Sequence, residues 1–154
     1  MISGFVTGDA EVLARFSALP GTMRKAVSDA VKREWFRVQI AVVKQKLSGD
    51  PLHRVTGVLA SSINVGGAQT ATSFDETETS ITARIGTRVR YGAVHELGGT
   101  FQIPEHGRLG HMVRAHSATF PQRSFLRSTL AEMGPSIREN IARAVGNAIA
   151  ASKG

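Results

Sequence analysis

His95 and Glu96 stand side by side in the stretch Tyr91-Gly-Ala-Val-His95-Glu96-Leu-Gly98-Gly99. A histidine followed by a glutamate on a helix opens the metal site of a zinc-dependent protease. A second histidine one turn later completes the ligand pair, and the glutamate serves as general base. Here the position four residues after His95 is Gly99, and Gly98-Gly99 ends a helix rather than extending it. The second ligand is therefore missing. His106, His111 and His116 lie in loop-like sequence and offer no fixed spacing for a third. The alternative is that His95 and Glu96 fix a turn or present polar tips to a neighbouring chain.

Other chemistries find even less. The chain has no cysteine, which removes thiol nucleophiles, iron–sulfur ligation and disulfide frameworks together. No Gly-x-Ser-x-Gly elbow occurs, and Ser61-Ser62 follow a short turn where local hydrogen bonding suffices. Gly66-Gly67 has no Lys-Ser/Thr behind it, so it reads as a bend in a strand and not as a phosphate loop. The carboxylates Asp75, Glu76 and Glu78 cluster only at a hairpin tip. A non-enzymatic protein with no metal or cofactor is expected.

The elements that must position these residues follow from hydrophobic spacing. Residues 2–7 read as a short strand, Asp9 as a cap, and about residues 10–18 as a short helix with Val12, Leu13 and Phe16. After Pro20-Gly21, Thr22 caps a long helix to about Leu47. One apolar row is Met23, Val27, Val31, Trp35, Val38 and Val42; a second is Phe36, Ile40, Val43 and Leu47. Spacings of three and four predict that both rows lie on one wide buried face. Gly49 and Pro51 stop the helix. Thr56-Gly57 opens a turn that delivers Leu59 and Ile63 inward. A strand over about residues 62–72 and an alternating strand at Ile81, Ala83 and Ile85 then form a long hairpin with a polar tip at 75–79. Phe101-Gln-Ile103 is another strand, residues 105–111 a loop, and Met112–Ala115 returns antiparallel. From near Ser124 a last helix carries Leu126, Leu130, Met133, Ile137, Ile141, Val145 and Ile149 on one face, with Gly134-Pro135 expected to kink or restart it. The expected fold is α+β, one domain over residues 1–154: an antiparallel sheet of about four strands on the long helix, with an amphipathic C-terminal helix beside it. No secretory leader or membrane-spanning helix is expected, since no long apolar run occurs.

Charge narrows the partners. Nineteen Lys and Arg stand against twelve Asp and Glu, a formal net charge of +7. Between Arg84 and Arg127 the arginines 84, 88, 90, 108, 114, 123 and 127 face only Glu96 and Glu105. An arginine-rich half points to an anionic neighbour, either nucleic acid or an acidic protein face. Sequence-specific DNA reading is not expected: no helix-turn-helix or zinc-finger spacing is present, and aromatic residues are few.

Three stretches occur in order: Thr56-Gly-Val-Leu59-Ala-Ser-Ser62-Ile63; Ile85-Gly86-Thr87 with Tyr91-Gly-Ala-Val-His95-Glu96-Leu-Gly98; and Pro121-Gln-Arg123-Ser-Phe125-Leu126. Together with the basic helix ahead and the amphipathic helix behind, they resemble the tail-completion and head–tail joining proteins of tailed bacteriophages, the virion morphogenesis family, over about residues 10–150. Val55 separates Arg54 from Thr56, Gly92 stands where alanine is usual, and Ser124 replaces a frequent proline. The resemblance implies a structural virion protein assembled in the host cytoplasm. It would form a ring at the phage neck, commonly of six copies, that completes the tail and joins it to the head. Its partners would be copies of itself, a tail-tube or tail-terminator protein and a head-side connector. Tyr91, His95, Glu96, Arg123 and Phe125 would meet a neighbouring subunit. Arg84, Arg88, Arg90, Arg108 and Arg114 would face a lumen through which DNA passes. A tail terminator capping the tube is the alternative within this class, and a basic nucleic-acid-binding protein the alternative outside it.

Overall fold

The computed structural model of the protein describes residues 21–108 and 110–151, with Arg108 described by its backbone. The strand and short helix expected before Pro20 lie outside these residues. The first described element is α1, Gly21–Ala41, which continues into a π-helical turn, Val42–Lys46. The wider turn closes through the Leu47 amide, which donates to the Val42 carbonyl at 3.0 Å. The first apolar row is the working face: Trp35, Val38 and Val42 are buried. The second row divides. Leu47 is buried, whereas Phe36 and Ile40 are 47% and 54% exposed. The expectation of one wide buried face is corrected here: Phe36 and Ile40 face away from the described elements that α1 packs against.

Those neighbours are a C-terminal helix, α4 (Leu126–Ala151), and a hairpin. Helix α4 runs antiparallel to α1: Lys46 pairs with Glu132 at 2.6 Å, and Asn140 Nδ2 donates to Glu34 Oε1 at 3.0 Å. It continues through Pro135 as one helix of 26 residues, with no restart. Pro135 is exposed, and Met133 and Ile137 on either side of it pack against the core. That anchorage holds the helix together across the missing amide.

The fold is α+β, and among the described residues the strands form three two-stranded antiparallel ladders. The long strand expected over 62–72 does not form. A short helix, α2 (Val58–Ile63), occupies its start, and turns and one bridge, Thr70↔Thr87, follow. The Thr72 hydroxyl donates to the Ile63 carbonyl at 2.8 Å and accepts from the Gly86 amide at 3.2 Å, so a polar side chain supplies links that a ladder would have made. Pairing begins only with β1 (Ser73–Glu76) against β2 (Ile81–Arg84). This hairpin packs on α1 through Phe74, whose ring lies 5.4 Å from that of Trp35, and through Trp35 Nε1, which donates to the Arg84 carbonyl at 2.9 Å.

A second helix pair of turns, α3 (Arg90–Leu97), leads into an extended arm. Strand β3 (Gly99–Ile103) pairs with β6 (His116–Phe120), and inside them β4 (His106–Arg108) pairs with β5 (His111–Val113). Residues 106–108, expected as loop, are thus paired. On one arm face Thr100 and Thr119 share a hydrogen bond at 2.8 Å, and Gln102 donates to Ser117 at 2.7 Å. The Phe101 and Phe120 rings pack 6.2 Å apart. The core lies where α1, α2, α3 and the start of α4 meet, around Val38, Val42, Leu59, Ile63, Val89 and Phe125. Among the described residues no helix is long and apolar enough to cross a membrane.

Candidate functional site

Helix α3 places Glu96 in the interior, fully buried. A lone buried carboxylate would cost several kcal/mol, so its partners decide whether the arrangement is stable. Its Oε2 accepts from the backbone amides of Phe125 (2.8 Å) and Leu126 (2.9 Å). Its Oε1 accepts from the Arg127 amide (2.9 Å) and the Ser124 hydroxyl (2.7 Å). These are the amides that open α4, which have no partner within the helix and carry the positive end of its dipole. Arg127 Nε adds a longer contact at 3.4 Å. Burial alone would raise the Glu96 pKa. The amides of Leu126 and Arg127, the Ser124 hydroxyl and the Phe125 amide outweigh it and hold the carboxyl below its ordinary range.

Gly98 makes this approach geometrically available. Its φ of 64° is left-handed, and a Cβ there would lie 2.6 Å from the Gln122 nitrogen. The chain of residues 121–123 therefore passes directly over it, with the Arg123 amide donating to the His95 carbonyl at 2.8 Å.

The first stretch joins the same centre. The buried Ser62 hydroxyl donates to the Leu59 carbonyl at 2.7 Å and lies 2.6 Å from Thr87 Oγ1. Because the one Ser62 proton goes to Leu59, the Thr87 hydroxyl is the donor between the two. Gly92 sits beneath Leu59 and Thr87: a Cβ there would meet their side chains at 3.1 and 2.9 Å. Phe125, fully buried, closes the cluster. The three separated stretches thus form one interlocked unit.

This corrects two of the surface assignments. Glu96 and Phe125 lie inside a single copy, where neither can touch a neighbour. The physical reason is that an apolar ring and a helix-capping carboxylate are both satisfied internally. Tyr91, at 42% exposure, and Arg123 remain at the surface, and His95 is half-buried. The Tyr91 and His95 rings meet edge to face at 6.3 Å. Burial, and then the Arg123 charge, hold the His95 pKa below its usual value. Both residues border a cavity of about 310 Å³ that is also lined by the loop His53–Gly57 and by Leu47, Leu52 and Leu59. Gly57, with a φ of 76°, lets the Arg54 side chain lie against it; a Cβ would stand 3.2 Å from Arg54 Nε.

The arginines are spread over separate elements. Arg88 and Arg90 border a cleft of about 490 Å³ between α3 and the arm, facing Phe101 and Gln102. Arg84 is exposed on β2, Arg114 is exposed on the arm, and Arg108 belongs to β4. Arg127, which was not singled out for a role, lines an apolar groove between α1 and α4 as well as flanking Glu96. Among the described residues no group of three or more His, Asp or Glu is arranged to hold a metal ion.

Comparison of the chain with protein-family models, with curated proteins and with solved structures found no match.

Proposed function

We propose that the protein is a structural component of a tailed-phage or phage-like particle, a ring at the neck that completes the tail and joins it to the head. The observation that carries this reading is the interlock of the three stretches. Ser62 with Thr87, Leu59 with Gly92, and Glu96 with the amides of Phe125, Leu126 and Arg127 make one unit from segments far apart in sequence. Residues that resemble a family pattern are thus the ones that hold this fold, as expected if the pattern describes the fold. The chemistry left at the surface favours binding over catalysis: a rigid scaffold, a small apolar cavity rimmed by Tyr91 and His95, and exposed arginines. In a closed ring, Arg84, Arg88, Arg90 and Arg114 would meet DNA phosphates without reading bases.

The test is assembly. Co-production with tail-tube and connector proteins, followed by negative-stain imaging, is expected to show rings, commonly of six copies. Deleting the gene from its genome is expected to leave heads and tails unjoined. A protein that stays monomeric with those partners, or normal particles from the deletion, would overturn the reading.

A further inference from the structure

Two surface features of opposite charge character stand out among the described residues, and they lie at opposite ends of α1. The first is the cavity beside Tyr91. Val55 at its rim is 92% exposed, and Tyr91 and Val58 are 42% and 40% exposed. Arg54 and His53 stand around these apolar groups, and no carboxylate is among the residues lining the cavity. Among the described residues neither the Arg54 nor the His53 side chain makes a hydrogen bond or ion pair. An apolar centre with a polar, cationic rim is the composition of a protein interface.

The second feature is the β1–β2 tip. Residues 73–80 contain Asp75, Glu76 and Glu78 and no lysine or arginine. Asp75 and Glu78 are exposed, while Glu76 accepts from the Ser28 hydroxyl at 2.7 Å. The Arg24 guanidinium donates to the Thr77 carbonyl at 2.7 Å, which ties the tip to the beginning of α1. The cavity includes Leu47, just beyond the π-helical turn that ends α1. At 1.5 Å per residue the two features are separated by about 30 Å. They cannot meet within one molecule.

We infer that the acidic β1–β2 tip of one copy docks on the Arg54-bearing cavity of the next, joining copies head to tail. The Arg54 guanidinium receives a tip carboxylate, Glu78 or Asp75, in its planar fork. Val55 and Tyr91 are covered in the same step by the tip backbone and the methyl groups of Thr77 and Thr79. Because the two surfaces differ, the contact is heterologous, and such contacts close into rings when the rotation between copies permits. The inference rests on the ring reading and names the contact that builds the ring.

Charge reversal tests it. Arg54 and Glu78 are exposed, so Arg54→Glu and Glu78→Arg are expected to leave the circular dichroism spectrum and melting temperature of the full chain unchanged. Self-association measured by sedimentation, with the tail and connector partners added in a parallel set, is expected to weaken at least tenfold in each single variant. It is expected to recover in the double variant Arg54→Glu/Glu78→Arg and in an equimolar mixture of the two singles, where each intact surface finds its complement. Rings that form normally in both single variants would overturn this contact and leave the ring reading standing. A wild-type chain that never associates, alone or with partners, would overturn both. Loss in the singles without recovery in the double or the mixture would also count against the pairing, since it would show that each residue acts elsewhere.

Discussion

The Glu96 carboxylate lies 2.9 Å from the backbone nitrogen of Arg127, a residue 31 positions further along the chain. A carboxylate from one helix thereby caps another. The capping group that usually comes from the residue just before a helix comes here from α3, so the end of α3 and the start of α4 cannot separate without exposing both a buried charge and open amides.

Replacing that carboxylate removes the cap from four donors at once. Glu96→Gln keeps size and shape but turns one acceptor oxygen into an amino group facing backbone donors. The expected loss is about 2–4 kcal/mol, the cost of leaving buried donors unsatisfied together with a lost charge-assisted set. Urea unfolding followed by circular dichroism measures it. A variant within about 0.5 kcal/mol of wild type would show that Glu96 does not hold α4 in place.

The same carboxylate and its neighbour His95 set the response to acid. Both have folded-state pKa values below their ordinary ones. For His95, the unfolded chain takes up a proton first, so stability is lost as pH falls from about 6.5 toward the lower folded value. For Glu96 the contribution is complete above about 4.3, and it is lost as pH falls through the lower folded value. Melting temperature is therefore expected to decline on acidification in two stages. His95→Gln should remove the first and Glu96→Gln the second. A melting temperature that rises as the solution is acidified below pH 6 would contradict the sign.

Ser62 and Thr87 are expected to be coupled. Ser62→Ala strands the buried Thr87 hydroxyl proton, at a cost of about 1–3 kcal/mol. Thr87→Val removes that stranded donor but also the acceptor of the Val89 amide, 3.0 Å away. In a double-mutant cycle the two losses should fall short of additivity by roughly 0.5–1.5 kcal/mol. Strict additivity would mean that the first and second stretches do not support each other through this bond.

How far these relationships were legible in the sequence depends on their range. The periodicity of α1 and of α4 was readable because a helix repeats its apolar spacing locally. The division of the second row was not, because only the tertiary neighbours decide that Leu47 is covered while Phe36 and Ile40 are not. The strand expected over 62–72 failed for a local reason. Ser62 and Thr72 satisfy backbone groups with their hydroxyls, and the alternation that remained did not outweigh the helical turn at Val58–Ile63. Glu96 was visible as a residue beside His95, but its role depends on a helix that starts 30 residues later. The nearest available signal was Ser124 followed by an apolar run, which marks a helix start without saying which carboxylate caps it. The exposure of Tyr91 and the burial of Phe125 are likewise decided by tertiary neighbours and not by local spacing.

Pro135 is where local rule and tertiary packing disagree most openly. A proline in a helix interior lacks the amide that would reach the Ala131 carbonyl and costs about 3 kcal/mol relative to alanine. Helix α4 nevertheless runs unbroken from Leu126 to Ala151, with Glu96 holding its first turn and Met133 and Ile137 packed on the core. The local cost is therefore present in the native state, offset by contacts elsewhere, and removable. Because Pro135 is exposed, Pro135→Ala deletes no core packing. It is expected to raise stability by about 1–3 kcal/mol, and the melting temperature by about 2–4 °C for each kcal/mol. Thermal unfolding of the single variant reads this directly. A lower melting temperature would mean that α4 needs a bend at Pro135 to lie along α1, and that the pairings of Lys46 with Glu132 and Glu34 with Asn140 depend on it.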